Sequence, residues 1–181
     1  MDFESKITSR EISQLLWERE MTLGTAESCT GGRVAEAIIA VPGASKYFKG
    51  GIVSYADEIK ERILGVDRQL IEEKTAVCED VAVAMVKGAC KALNTDYAIA
   101  VTGIAGPGGG TAEIPVGTIW LACGNEDNVA TCQLTEDNGR DKNLSEATHT
   151  ALEMFLEFLK GEEKVSEDDV ELQGEVKWGS N

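Results

Sequence analysis

A serine, a lysine, an arginine and two glycine-rich turns stand where they could do chemistry in this sequence. Ser28 lies in T-A-E-S-C-T-G-G at 25–32, where a strand-like pattern stops and a helical one starts. A turn of that kind sits at the carboxyl edge of a sheet, where open α/β sheets bind ligands. The first N–H groups of the following helix have no intrahelical partner. They can face a phosphate, or the oxyanion formed when a serine attacks a carbonyl. The same residues equally suit plain N-capping by Ser28 or Thr30, with the two glycines allowing close packing. Cys29 reads as a small buried filler, and whether Glu27 and Cys29 do chemistry stays open. Ser28 is not within G-x-S-x-G, so an α/β-hydrolase elbow is unsupported.

Lys60 closes the segment Y-A-D-E-I-K at 55–60. With Asp57 as N-cap, Lys60 falls at the third helical position, inside the positive end of the helix dipole. In a partly desolvated cleft that placement favours the neutral amine, the form a general-base lysine needs. A solvated lysine on a short exposed helix fits the same residues. Tyr55, ending a strand at the same sheet edge, could orient Lys60 or share its proton transfer. It also fits as an ordinary amphipathic tyrosine.

The run A-V-T-G-I-A-G-P-G-G-G-T at 100–111 leads a buried strand into a loop with five glycines. Such a loop brings backbone N–H groups against a phosphate or a flat ring. It has neither a P-loop lysine nor the strand–G-x-G-x-x-G–helix order of a dinucleotide fingerprint. Asn138-Gly139-Arg140 precedes the last helix, and an arginine there suits bidentate phosphate binding or a local pair with Asp141.

The rest of the composition narrows the choices. His149 is the single histidine, in a helical run, and reads as a plain helical residue. Five cysteines (Cys29, Cys78, Cys90, Cys123, Cys132) without a C-x-x-C suggest neither a disulfide framework nor a zinc site, and no metal motif appears. Free thiols fit a reducing cytoplasm. With 17 basic and 32 acidic residues the net charge is −15, which disfavours a general nucleic-acid binder. A small anionic ligand is still compatible with one arginine and a few N–H groups. No apolar stretch approaches the ~20 residues of a membrane span, and the charged first twenty residues are not a signal peptide.

Positioning these residues requires alternating elements. Periodicity predicts helices over 5–20, 33–41, about two turns from 57 to 65, 79–93 and 144–160. Strands are expected at 22–26, 51–55, 97–102, 116–123 and 129–134. That alternation implies an α/β fold with helices layered on a mixed, largely parallel central sheet, its last two strands an antiparallel hairpin. Residues 1–160 read as one domain. From Gly161 the chain holds seven acidic and two basic residues among 21, so 161–181 reads as an acidic, flexible tail, with Trp178 its one docking-capable side chain.

Several segments together resemble the CinA C-terminal domain family, whose characterised members include nicotinamide mononucleotide deamidase. The matching residues are T-A-E-S-C-T-G-G at 25–32, V-P-G-A-S at 41–45 and G-G-I-V-S-Y-A-D-E-I-K at 50–60. A-V-T-G-I-A-G-P-G-G-G-T at 100–111 and P-V-G-T-I-W at 115–120 complete the set, and the likeness runs from about residue 10 to 159. The resemblance implies a three-layer α/β/α fold. It implies an amidohydrolase that converts nicotinamide mononucleotide and water to nicotinic acid mononucleotide and ammonia, with no metal or cofactor. Ser28 would be the nucleophile, Lys60 the base and Tyr55 an assistant. Thr102, Gly103 and Arg140 would lie around the nucleotide, with Arg140 on its phosphate, and Gly31 and Gly43 nearby. Family analogy also suggests a homo-oligomer. The same fold is compatible with a catalytically silent nucleotide-binding or competence- or damage-related regulatory protein, and with an amidase for another carboxamide. Many members carry an arginine where Leu144 stands here, and many carry a further N-terminal domain.

Overall fold

The computed structural model describes residues 3–174, with side chains from Glu4 to Glu162. The elements run α1 (Phe3–Glu18), β1 (Leu23–Glu27), α2 (Arg33–Ile39), a short 3-10 turn (Ala44–Lys46) and β2 (Phe48–Val53). They continue with α3 (Asp57–Leu64), α4 (Arg68–Lys74), α5 (Glu79–Leu93), β3 (Tyr97–Gly103), β4 (Ile119–Gly124), β5 (Val129–Leu134) and α6 (Arg140–Gly174). The five strands form one sheet in the order β2-β1-β3-β4-β5. β1 pairs in parallel with both β2 and β3, whereas β3–β4 and β4–β5 are antiparallel. This is the α/β architecture with a mixed sheet that the alternating pattern implies.

Strand alternation sorts the two faces. Tyr97, Ile99 and Val101 of β3, with Ile119, Leu121 and Cys123 of β4, pack against α1, α2 and α6. Ala98, Ala100 and Ala122 point the other way, toward α3, α4 and α5. Small residues on that second face let α5 lie close to the sheet. Gly88 of α5 in turn admits α3: a Cβ there would overlap the Leu64 carbonyl.

The layer assignment creates the crevice. β1 and β2 are neighbours, yet the chain leaves β1 into α2 on one face and leaves β2 into α3 on the other. The two connections diverge from adjacent strand ends and leave a gap between them, which is where open α/β sheets bind ligands.

Several boundaries differ from the sequence expectation. β2 begins at Phe48 and stops at Val53, so Tyr55 lies beyond the strand in the link to α3. The N-cap of α3 is Ala56 rather than Asp57. The Asp57 carboxylate turns to the Lys60 amine instead of the helix N–H groups, and Lys60 is the fourth helical residue. α4 was not expected; Asp67 caps it, accepting from the Gln69 N–H at 2.9 Å. β4 starts at Ile119 because Gly117 and Thr118 donate back to Ile104 and Pro115 in a turn. α6 continues past Lys160 to Gly174. Glu, Lys, Val and Asp follow there without a proline, and loss of an apolar face alone does not end a helix. Of the expected tail, residues 175–181 with Trp178 lie outside the described residues. No helix among the described residues is long and apolar enough to cross a membrane.

Candidate active site

Every residue of β1 is buried, and the strand ends on Glu27. The chain then turns sharply through Ser28 and Thr30 into α2. Ser28 donates its N–H to the Val101 carbonyl at 2.9 Å, and Gly31 donates to the Ser28 carbonyl at 3.1 Å. Gly31 adopts φ +59 and Gly32 φ +105, left-handed conformations that glycine takes without strain. These ties fix the Ser28 backbone at the head of the sheet.

Lys60 comes to Ser28 from the next connection. Although it is a lysine it is 1% exposed. Its Nζ donates to Ser28 Oγ at 3.2 Å, to the Ser54 carbonyl at 2.9 Å and to Asp57 Oδ1 at 3.2 Å. Three oxygens thus surround Nζ: as an ammonium it donates to all three, and as a neutral amine it donates to the Ser54 carbonyl and Asp57 and accepts from the Ser28 hydroxyl. Ser28 Oγ is the one hydroxyl among these partners. Tyr55 is 63% exposed and makes no hydrogen bond to Lys60 among the described residues. The orientation expected from Tyr55 therefore falls to Ser54 and Asp57.

Above Ser28 lies an open cleft of about 200 Å³, bounded by Ser28, Cys29 and Tyr55, by Gly103 to Gly106 with Gly108, and by Arg140. Lys60 sits beneath Ser28 rather than in the wall. Arg140 is the one ionic side chain of the lining. Its guanidinium donates to the Gly106 carbonyl at 2.7 Å, which ties the start of α6 to the glycine-rich loop. Asn143, one turn further along, donates to Ala105 O at 3.1 Å and to Asp137 Oδ1 at 2.9 Å. With the Gly139 N–H, that amide holds the Asp137 carboxyl below its ordinary value.

The expected site residues therefore separate. Ser28, Lys60, Tyr55, Gly103 and Arg140 gather at one place. Gly103 is required by contact with the sheet as well, since a Cβ would meet Ile119 Cα at 2.6 Å. Thr102 is buried with its hydroxyl donated to the Ala76 carbonyl at 2.8 Å, away from the cleft lining. Gly31 shapes the Ser28 turn without lining the cleft, and Gly43 opens the 3-10 turn near Trp17. Leu144 is buried in the α6 core. His149 hydrogen-bonds Ser5 of α1 through Nδ1 at 3.2 Å and pairs with Glu153, apart from the cleft.

The first-turn N–H groups of α2 are not free for a ligand as the sequence suggests. Glu27 takes three of them: Gly32 and Val34 at 3.1 Å through Oε2, and Ala35 at 2.9 Å through Oε1. Arg33 donates to the Thr30 carbonyl. Burial, with the Glu27 carboxylate nearby adding to it, outweighs the Cys29 and Thr30 backbone N–H groups and pushes the Cys29 thiol up to about 11. Cys29 is thus an inert filler. Asn143 and Glu27 carry no motif of their own. The sequence signals were their positions: an acid directly before Ser28 and two glycines, and an amide three residues after Arg140. Among the described residues no group of three or more His, Cys, Asp or Glu side chains could hold a metal ion.

Comparison with known proteins gives the family and the fold. Residues 5–159 match the model of the CinA C-terminal domain. The chain belongs to the CinA C-terminal domain family. A CinA-like protein of Amoebophilus asiaticus is 41% identical over 150 residues, 83% of this chain and 36% of the relative. One from Leptospira borgpetersenii is 49% identical over 117 residues, 65% of this chain and 28% of the relative. The chain spans about a third of the length of these curated relatives. Among solved structures, the competence/damage inducible protein CihA of Agrobacterium tumefaciens superposes with TM-score 0.84 at 36% identity, covering 88% of this chain and 98% of that one. The competence damage-inducible protein A of Klebsiella pneumoniae gives 0.82 at 31%, covering 86% and 97%. This CinA domain shares the fold of those competence/damage-inducible proteins.

Proposed function

We propose that this CinA domain is an amidohydrolase that deamidates nicotinamide mononucleotide to nicotinic acid mononucleotide and ammonia through Ser28 and Lys60. The observation that carries the reading is the 3.2 Å contact between Lys60 Nζ and Ser28 Oγ at the floor of the cleft. Serine is a weak nucleophile without an adjacent base, and the one histidine is elsewhere. A neutral lysine amine is the natural substitute in Ser-Lys systems.

In the proposed cycle, Lys60 takes the Ser28 hydroxyl proton as Oγ attacks the carboxamide carbon. The oxyanion settles toward the backbone N–H groups that follow Ser28 in the turn, those of Cys29 and Thr30. Lys60, now an ammonium paired with Asp57, gives its proton to the amide nitrogen. The C–N bond breaks and ammonia leaves. Water then loses a proton to Lys60 and attacks the acyl carbon. The carboxylic product departs as Ser28 recovers its proton. A pyridinium ring withdraws electrons from the carboxamide and makes it a better electrophile. Arg140 supplies the phosphate contact remote from the reacting carbon, which serves positioning. Tyr55 assists as a wall of the cleft.

The test is ammonia release from nicotinamide mononucleotide by wild type, Ser28→Ala and Lys60→Ala. Each variant is expected to lose at least ~100-fold in kcat/KM, the forfeit of several kcal/mol of transition-state stabilisation. Wild type that binds the nucleotide without releasing ammonia would instead make this a nucleotide-binding member of the family.

A further inference from the structure

Glu27 is 1% exposed, and its carboxylate accepts from three backbone N–H groups at the start of α2. We propose that Glu27 is a positioning residue that locks the Ser28 turn and the Lys60 support into one rigid unit. The proposal rests on the reading of Ser28 as a nucleophile.

Burying an ionised carboxylate is costly unless several hydrogen bonds offset it. Here both oxygens are engaged, by the N–H groups of Gly32, Val34 and Ala35. The N-cap position of α2 is Gly32, at φ +105, and it offers no side chain. Glu27 fills the capping role from five residues upstream. The four residues between, 28 to 31, are therefore closed into a ring whose two ends meet at one side chain. Ser28 sits inside that ring. The backbone of Glu27 does a second job. Its carbonyl accepts the Ser54 N–H at 2.8 Å. The Ser54 carbonyl, in turn, accepts from Lys60 Nζ at 2.9 Å. One residue thus sets the nucleophile through its side chain and the base through its main chain.

The test variant is Glu27→Gln, which keeps the shape but turns an amide NH2 toward N–H donors. The expected result is a fall in kcat for nicotinamide mononucleotide of at least ~10-fold with KM little changed, since misplaced reacting groups lose rate rather than binding. Labelling of Ser28 by a fluorophosphonate probe, which needs no amide substrate, should slow by a similar factor. Glu27→Asp keeps the charge on a shorter stem and should restore part of both. A lowered melting temperature with wild-type kcat and labelling rate would overturn the proposal, because a merely structural cap predicts that outcome. Should Glu27→Gln fail to fold, Glu27→Asp carries the test, since its shorter stem cannot keep all three N–H contacts. An unchanged labelling rate in that folded variant would equally overturn the proposal. Wild type that labels at Ser28 without releasing ammonia would sink the amidase reading and leave the clamp standing. Wild type that does neither would overturn both.

Discussion

Ser28 and Lys60 are 32 positions apart, and each is unremarkable in its own segment. Their chemistry follows from burial and contact, which a linear pattern does not carry. The sequence shows a turn at Ser28 and a lysine early in a helix. It does not show that Asp57 would abandon its cap for the Lys60 amine, or that Glu27 would claim the N–H groups otherwise available to an anion. Both differences have the same cause: a buried charge recruits whatever partners lie within reach. Two predictions belong at this scale. Arg140→Ala should raise KM for nicotinamide mononucleotide at least ~10-fold with kcat nearly kept, as loss of a charge-assisted contact remote from the reacting carbon would do. Steady-state kinetics checks it, and an unchanged KM would remove Arg140 from the phosphate. Cys29 should resist alkylation. With its thiol pushed up to about 11 by burial, the thiolate fraction at pH 8 is on the order of 0.001. Iodoacetamide labelling followed by peptide mass analysis should find Cys29 unmodified in the folded protein.

At the scale of elements, β3, β5 and α5 stand close to where they are expected: β3 is one continuous apolar run, α5 buries residues at helical spacing, and the half-buried β5 follows the turn at 124–127. The misses fall where something other than apolar spacing decides. α4 is short and its cap residue, Asp67, is its main signal. β4 loses its first turn to bonds from Gly117 and Thr118. α6 runs on because the residues after Lys160 include no proline to stop it. The element that matters most for the site is α3, since it carries Lys60 and leans on α5 at Gly88. Gly88→Ala places a methyl into the Leu64 carbonyl. Overpacking of this kind costs about 1–3 kcal/mol. A lowered melting temperature is expected together with reduced kcat, as α3 shifts Lys60 away from Ser28. Full activity in a destabilised protein would show that α3 moves without disturbing the pair.

For the whole molecule, the net charge of −15 and the three buried thiols set the response to medium. Burial raises Cys29 and Cys90 to about 11 and Cys123 to about 12, from an ordinary 9.0. A raised folded-state value means the native protein holds these protons more tightly than the unfolded chain. The resulting stability is complete below pH 9 and is lost as pH rises through 11 to 12. Denaturant melts should therefore be flat from pH 7 to 9 and fall above, and Cys123→Ala should flatten that fall. The relatives' names speak of competence and damage, yet a field this negative repels a phosphate backbone. Duplex DNA should show no retention even at low salt in a mobility-shift assay.

The central claim is that Ser28 Oγ becomes covalently acylated with Lys60 as its base. Wild type mixed with nicotinamide mononucleotide and acid-quenched within the first turnovers should carry a mass increase equal to the nucleotide less ammonia, mapped to the peptide containing Ser28. The adduct should be absent from Ser28→Ala and strongly reduced in Lys60→Ala. Ammonia released at the wild-type rate by Ser28→Ala would contradict the account outright.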